Sequence, residues 1–208
     1  MYPFVESLKF IDCIHYNLEY HQARFDLTRS VHYPGTKRIK LEEVLGNCSG
    51  LLPNQLYKCR IIYGETISDV IYEPYTPRHI HQYYLLVCPN ELDYSFKTTN
   101  RAFFDNARTK LNNNEDFIYV RKGLITDTSY ANLVFTDGAG YFTPSCPLLK
   151  GTKRAYYLQH GLIKEEEIRV SDLSKFKSFF AINAMLDLVA APTFSCNKLL
   201  LSHNYLKL

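Results

Sequence analysis

Two-residue turns between apolar, β-rich runs are the feature that most limits what this chain can fold into. Gly64-Glu65, Lys122-Gly123 and Asp137-Gly138 are three such turns, and turns this short join antiparallel neighbours. These hairpin signals outnumber the β–helix–β alternations. The sequence therefore predicts an α/β fold of the α+β type with mixed or antiparallel sheets. The runs are residues 4–10, 57–63, 67–72, 83–87, 117–121, 132–136, 141–143, the region near 168, and 179–183.

Helical periodicity fills the gaps between these runs. In residues 19–33, the apolar side chains of Tyr20, Ala23, Leu27 and Val31 recur at spacings of three and four, which predicts a helix with this stripe facing the core. Further helices are predicted over residues 101–111 and 152–160. The pattern restarts after residue 88, so we expect two lobes joined near residues 89–96. The expected lobes are a small N-terminal α/β lobe, 1–90, and a larger C-terminal lobe, 91–208.

Composition narrows the functional classes. The 208 residues are 46% hydrophobic and 22% charged, which is typical of a globular protein and not of a disordered or fibrous one. The net charge of +3 comes without a basic stripe, so no nucleic-acid partner is expected. There is neither a signal-like N-terminus nor a run of ~18 apolar residues, so we expect a soluble, cytoplasmic protein with no membrane partner.

Two basic residues are candidates for ligand binding or catalysis. Arg24 falls inside the predicted apolar stripe, where an inward-pointing guanidinium requires an anion. The alternatives are a bound ligand, a core carboxylate, or a side chain that extends its charged end to solvent. Lys97 ends an alternating segment, 92–97, that predicts a short strand with Asp93, Ser95 and Lys97 on one side. That side could simply face solvent, whereas a desolvated lysine would readily form a Schiff base.

The start of the helix at residue 152 and the polar segment 125–132 are the other candidates. Thr152, Lys153 and Arg154 place two cations where the helix dipole prefers anions, so an anion could bind there, although a plain surface helix is the alternative. The segment that contains Asp127 could be no more than a loop between strands. The cysteines form no C-x-x-C pair, and His79-Ile80-His81 has no acidic or cysteine neighbour, so no metal site is predicted.

Taken together, these segments resemble a known family. Residues 4–9 (FVESLK) are similar to an F-x-E-T-I-R strand, 20–25 (YHQARF) to H-x-x-R-L, and 96–101 (FKTTNR) to L-K-x-L-N-R. Residues 125–135 (ITDTSYANLVF) are similar to V-T-E-x-x-x-x-N-I-F, and 148–154 (LLKGTKR) to L-L-x-G-x-x-R. In this order they resemble the class IV aminotransferases, the fold-type IV enzymes that use pyridoxal 5'-phosphate.

The resemblance implies a role for each matching residue. Lys97 would bind the cofactor covalently and move a substrate proton, and Arg24 would bind the cofactor phosphate. Asp127 would stand in for the family's glutamate at the ring nitrogen, although it is one methylene shorter. The remaining implied cofactor contacts are the backbone N–H groups of Thr152 and Lys153, together with Asn183 and Ala184. A homodimer acting on a small-molecule amine is also implied.

Departures from the family pattern bear on the reaction. Residues 180–185 (FAINAM) resemble the C-N-A-L segment of aminodeoxychorismate lyases more than the hydroxyl-rich loop of transaminases. A lyase that serves folate synthesis is therefore expected. A branched-chain or D-amino-acid aminotransferase and a non-catalytic cofactor-binding protein are the alternatives. Lys9 and Arg60 are open candidates for a substrate carboxylate, and each could equally be structural.

Overall fold

The computed structural model of this chain describes residues 2–46, 50–201 and 206–207. They divide into two compact units. Unit one comprises residues 1–77 and 96–100, and unit two comprises residues 78–95 and 101–208. The chain thus changes unit at three places, whereas the predicted lobes, 1–90 and 91–208, have one join.

Unit one is built on a four-stranded sheet. All its strand pairs are antiparallel, and the strands follow the order β2-β1-β3-β4. The predicted β-rich runs and the Gly64-Glu65 turn of this half are confirmed. Its elements are β1 (Phe4–Ile11), β2 (Ile14–His15), α1 (Leu18–His32), α2 (Leu41–Val44), β3 (Tyr57–Tyr63) and β4 (Ile67–Pro74).

One face of this sheet forms the core of unit one. On β1, alternate residues point to opposite faces, so Phe4, Leu8 and Phe10 are buried against β3 and α1. Glu6 has the same parity and is completely buried among these apolar side chains. A carboxylate in that position needs partners that compensate its charge.

Helix α1 buries a different face from the one predicted. Leu27 and Val31 are 56% and 53% exposed, and Ala23 is exposed as well, so the prediction that this stripe faces the core is wrong. The buried residues are His21, Phe25, Thr28 and Arg29. Polar side chains occupy the inner face because the fold supplies their partners; the Arg29 guanidinium, for example, donates to the carbonyls of Lys37 and Glu65.

Unit two contains a larger mixed sheet with helices. Within the described residues its path is β10-β9-β8-β7-β6-β5-β13, and β11 joins both β8 and β12. Most pairs are antiparallel, whereas β5–β6, β9–β10 and β5–β13 are parallel, which confirms the predicted mixed α+β architecture. The strands are β5 (Gln82–Val87), β6 (Glu115–Arg121), β7 (Leu124–Thr128), β8 (Asn132–Thr136), β9 (Tyr141–Pro144), β10 (Lys164–Glu166), β11 (Ser178–Ile182), β12 (Phe194–Ser195) and β13 (Leu206–Lys207).

The helices of unit two are short. They are α3 (Ala102–Arg108), α4 (Thr152–Gln159), a 3-10 helix (Val170–Lys175) and α5 (Cys196–Leu201). The predicted strand near residue 168 is reduced to a single bridge between Leu124 and Arg169 ahead of the 3-10 helix. Over the described ranges, no helix is long and apolar enough to cross a membrane.

The turns of unit two place the candidate residues. Lys122 and Gly123 both have positive φ, 53° and 77°, as a type I′ hairpin between β6 and β7 requires. Asp127 is therefore on a strand, and the prediction of a loop over 125–132 is wrong. The chain reverses at residues 129–131 and enters β8 at Asn132, which pairs directly with Asp127.

Candidate functional site

Lys97 lies on a short segment that is held against β1 of unit one. The amide of Val5 donates to the carbonyl of Lys97 at 2.8 Å, and the amide of Thr99 donates to Pro3 at 2.8 Å. The predicted strand over 92–97 does not form, because Ser95 turns back to donate its amide to Asp93. The half-buried side chain of Lys97 is therefore positioned by backbone hydrogen bonds of Lys97 itself and of Thr99.

Glu6, His21 and Arg24 form a buried cluster on the same strand and on α1, which we call the Glu6 cluster. The Arg24 guanidinium donates through Nε and Nη2 to the two carboxylate oxygens of Glu6, at 2.9 and 2.6 Å. His21 Nδ1 lies 2.6 Å from the same carboxylate. Burial raises the pKa of Glu6, but the Arg24 charge and the His21 hydrogen bond outweigh it and bring this pKa to about 2.

The Glu6 cluster explains why Arg24 points inward. Its side chain is only 13% exposed, so the expected orientation is correct although the predicted stripe around it is not. Of the two anions considered, the structure contains the core carboxylate. Burial lowers the pKa of His21, and the positive charges of Arg24 and Lys97 lower it further. The hydrogen bond with Glu6 and the charge of Glu6 raise this pKa but do not offset the other effects. With one carboxylate and two cations, this region keeps a positive balance that suits a phosphate ligand.

Asp127 is the buried acid of unit two. Its side chain accepts hydrogen bonds from Asn132 Nδ2 at 2.7 Å and from the Leu149 amide at 2.9 Å. Burial raises its pKa to about 6, opposed by these two donors and by the charge of Arg154. A carboxylate that is ionised at neutral pH in a dry site is a suitable acceptor for the N–H of a protonated ring.

The first turn of α4 is not a plain surface helix. Lys153 and Arg154 are buried, and each has an acidic partner: Lys153 pairs with Asp187, and Arg154 contacts Glu165 at 2.6 Å and donates to the Pro144 carbonyl at 2.9 Å. The surface alternative is therefore wrong. Gly151 is the residue before the helix, and a Cβ there would overlap Asn132 Oδ1. The N–H groups of Thr152 and Lys153 lie in the first turn, where an anion is stabilised.

Asn183 shapes its own loop. Its Oδ1 accepts the amides of Met185 and Leu186 at 2.8 and 3.1 Å, and its Nδ2 donates to the Tyr130 carbonyl at 3.3 Å. The side chain thus ties the loop after β11 to the turn between β7 and β8. Ala184 lies in this loop, and its contact with the cofactor stays a prediction.

The candidate carboxylate ligands lie on the face of the unit-one sheet away from its core. Arg60 contacts Glu73 at 3.5 Å, and Lys9 Nζ lies 5.0 Å from the centroid of the Tyr16 ring. Both residues therefore have structural interactions, and their role toward a substrate stays a prediction. Within the described ranges, no group of three or more His, Cys, Asp or Glu side chains could hold a metal.

The candidates divide between the units. Arg24 and Lys97 belong to unit one, whereas Asp127, Thr152, Lys153, Asn183 and Ala184 belong to unit two. The groups present fit pyridoxal phosphate chemically: an amine, a guanidinium, a buried carboxylate, and a helix start at which only glycine fits. Sequence reasoning missed Glu6, His21 and Asn132. For Glu6 a signal existed, because it shares the parity of Phe4 and Leu8 on a predicted strand.

A comparison with known proteins finds a family whose profile matches this chain. The profile described as "Amino-transferase class IV" matches residues 53–192. An uncharacterised protein of Haemophilus influenzae is 29% identical over 187 residues, covering 89% of this chain and 98% of that protein.

Solved structures are similar over most of the chain. A crystal structure from Haemophilus somnus, named as a candidate 4-amino-4-deoxychorismate lyase, is 28% identical with a TM-score of 0.81, and the match covers 90% of this chain and 98% of that one. A hypothetical aminotransferase from Mycobacterium tuberculosis in its PLP-bound form is 20% identical with a TM-score of 0.68, and the match covers 92% of this chain and 79% of that one. The second likeness concerns the fold alone.

Proposed function

This chain belongs to the class IV aminotransferase family, and on that premise we propose that it is a 4-amino-4-deoxychorismate lyase. As a member it is a pyridoxal-phosphate-dependent enzyme of the aminotransferase or lyase type. The specific reaction, elimination of pyruvate to leave 4-aminobenzoate for folate synthesis, is our proposal.

One observation carries the choice of reaction. The Haemophilus somnus protein, which is named for this lyase activity, matches over 98% of its own length at 28% identity. The loop after β11 agrees with this choice. The side chain of Asn183 accepts hydrogen bonds from the backbone of this turn. At the corresponding place, transaminases of the family carry small hydroxyl residues.

The residues are assigned roles as follows. Lys97 holds the cofactor covalently and takes the proton from the substrate carbon that bears the amine. Arg24 is assigned to the phosphate, as are the first N–H groups of α4, and Asn183 and Ala184 are assigned to the cofactor. Asp127 keeps the ring nitrogen protonated, and the bound ring then supplies an electron sink. Removal of this proton would allow the ether C–O bond between the ring and the enolpyruvyl group to break. The enolpyruvate that leaves would take up a proton to become pyruvate, so the elimination needs no second substrate.

A direct assay separates the lyase from the alternatives. The purified protein with pyridoxal phosphate is given 4-amino-4-deoxychorismate without any keto acid, and pyruvate and 4-aminobenzoate are measured. We expect equal amounts of both products. Turnover only with an amino acid and a keto acid acceptor would instead identify an aminotransferase, and cofactor binding without turnover of any amine would identify a non-catalytic protein.

Lys97→Ala tests the residue assignment. We expect a loss of about a thousandfold in turnover, and we expect borohydride to trap the cofactor on the peptide that contains Lys97 in the unsubstituted protein. Lys110→Ala, at an exposed lysine after α3, is the matched control and should retain both properties. Trapping on another lysine would contradict the role of Lys97.

Assembly and location are further parts of the proposal. By its family resemblance the protein is proposed to form a homodimer in the cytoplasm, with a small-molecule amine as its substrate. Light scattering of the purified protein tests the first point, since a mass of one chain would contradict it.

A further inference from the structure

We propose that Asn132 is a positioning residue for Asp127, holding its carboxylate in one orientation and tying it to the start of α4. This inference rests on the proposed function, because it concerns how the acid assigned to the cofactor ring is held. The residues involved, which we call the Asp127 brace, are Asp127, Asn132, Leu149 and Gly151.

The hydrogen bonds of the brace form a closed set. Asn132 Nδ2 donates to Asp127 Oδ1 at 2.7 Å and to the Leu149 carbonyl at 2.8 Å. The Leu149 amide donates to Asp127 Oδ2 at 2.9 Å. Both carboxylate oxygens and both amide hydrogens of Asn132 are thereby engaged, and Asp127 and Asn132 are only 5% and 6% exposed. The orientation of each side chain is determined by the other and by one backbone segment.

Gly151 completes the brace by leaving room for it. Its φ of −71° is open to any residue, so backbone freedom does not explain a glycine here. A Cβ at this position would overlap Asn132 Oδ1. The glycine therefore allows the close approach of the Asn132 side chain, so the residue directly before α4 is in contact with the residue that holds Asp127.

Charge gives the brace its chemical effect. The groups that act on Asp127 are the Asn132 amide, the N–H groups of Leu148 and Leu149, and the Arg154 charge, all of which favour the ionised form against burial. Replacing Asn132 by leucine keeps a similar volume but removes the donor. The carboxyl group then protonates at a higher pH, so a smaller fraction of it is ionised to accept a hydrogen bond from a ring N–H at neutral pH.

The test compares two ligands that differ at one atom. Apo protein is titrated at neutral pH with pyridoxal phosphate and with its 1-deaza analogue, in which C–H replaces the ring nitrogen, and the ratio of the two dissociation constants is measured. Contributions from the phosphate and from Lys97 are common to both ligands. The ratio therefore reports on the contact with the ring nitrogen, and it requires no turnover.

We expect the unsubstituted protein to prefer pyridoxal phosphate and Asn132→Leu to lose about tenfold of this preference, equivalent to about 1.4 kcal/mol of binding free energy. Gly151→Ala should lower the ratio independently, because the new methyl group displaces Asn132. Asp127→Asn gives the ratio of dissociation constants for a protein with an uncharged side chain at position 127. Asn106→Leu, on the exposed side of α3, should leave this ratio unchanged.

Two results would overturn the proposal in distinguishable ways. If Asn132→Leu and Gly151→Ala weaken both ligands equally, the ratio is preserved and Asn132 has only a structural role. If the unsubstituted protein and Asp127→Asn show the same ratio, Asp127 does not contact the ring nitrogen, and that part of the proposed function fails together with the inference. Gly151→Ala provides the same readout should Asn132→Leu fold poorly.

Discussion

At the scale of single residues, the buried ion pair between Glu6 and Arg24 makes a large contribution to stability. Removing one partner of a buried pair typically costs 3–5 kcal/mol, because the other charge is left without compensation. We expect Glu6→Gln to lose about 3 kcal/mol of unfolding free energy at pH 7. Glu73→Gln, whose carboxylate is 39% exposed beside Lys58 and Arg60, should lose less than ~1 kcal/mol. Urea denaturation measures both.

The same pair predicts a dependence on pH. The pKa of Glu6 is lowered from 4.5 to about 2 on folding, so its stabilisation is present above pH 4.5 and is lost as the pH falls through 2. The difference in stability between the unsubstituted protein and Glu6→Gln should therefore narrow between pH 4.5 and pH 2. A difference that stays constant over this interval would contradict an ionised Glu6.

The pKa of Asp127 predicts a pH dependence of stability with the opposite sign. Its pKa is raised from 3.8 to about 6 on folding, so ionisation destabilises the apo protein, and the favourable contribution present below pH 3.8 disappears as the pH rises to 6. In Asp127→Asn this pH-dependent loss of unfolding free energy, which is on the order of 3 kcal/mol, should be absent. Urea titrations at pH 4 and pH 7 test it, with the pH dependence of Asp127→Asn subtracted from that of the unsubstituted protein.

At the scale of elements, α1 shows how periodicity can indicate the wrong face. Two stripes on this helix have helical spacing, and the apolar one, with Leu27 and Val31, is exposed. The buried one contains His21 and Arg29, which are held by Glu6 and by carbonyl groups of unit one. Hydrophobicity alone cannot rank two such faces when the polar one acquires partners in the fold.

Substitutions on α1 test this assignment. Phe25 is fully buried, with its ring centroid 4.5 Å from that of Tyr63, so Phe25→Ala should cost about 3–5 kcal/mol of unfolding free energy. Leu27→Ser should change it by less than ~0.5 kcal/mol. If Leu27→Ser were as costly as Phe25→Ala in urea denaturation, the exposed position of the apolar stripe would be wrong.

The β6–β7 hairpin offers a test of backbone conformation. Gly123 has φ of +77° with open space where a Cβ would stand, so only the left-handed conformation disfavours a side chain. Gly123→Ala should cost about 1 kcal/mol. Gly46→Ala, which also has open space but no positive φ, is the control and should not be destabilising. Equal effects of the two substitutions on thermal unfolding would argue against the turn geometry.

At the scale of the whole molecule, the two units are not separated by a single boundary in the sequence. Residues 96–100 belong to unit one, while the residues before and after them belong to unit two. Lys97, the proposed cofactor lysine, is thus on a segment whose backbone partners, Pro3 and Val5, lie far earlier in the sequence. Local patterning has no means of indicating a pairing over such a separation.

Cofactor binding should stabilise the whole protein through Lys97. A ligand that binds only the folded state adds about 2.7 kcal/mol of stability at a hundred times its dissociation constant. We expect pyridoxal phosphate to raise the unfolding temperature of the unsubstituted protein and of Lys110→Ala, and to raise that of Lys97→Ala much less. Differential scanning fluorimetry measures this, and an equal rise in all three would contradict covalent binding at Lys97.

The sequence by itself determined most of the longer strands, although not β7, together with the hairpin turns, the mixed α+β class and the family. Each of these depends on short-range alternation, turn chemistry or an ordered set of motifs. It also singled out Arg24, Lys97 and Asp127. Only the tertiary structure decided that α1 buries its polar face, that Glu6 is the partner of Arg24, and that Asn132 links Asp127 to Gly151. These are contacts between residues distant in sequence or on different elements, and whether a polar group is buried depends on the partners that folding brings to it.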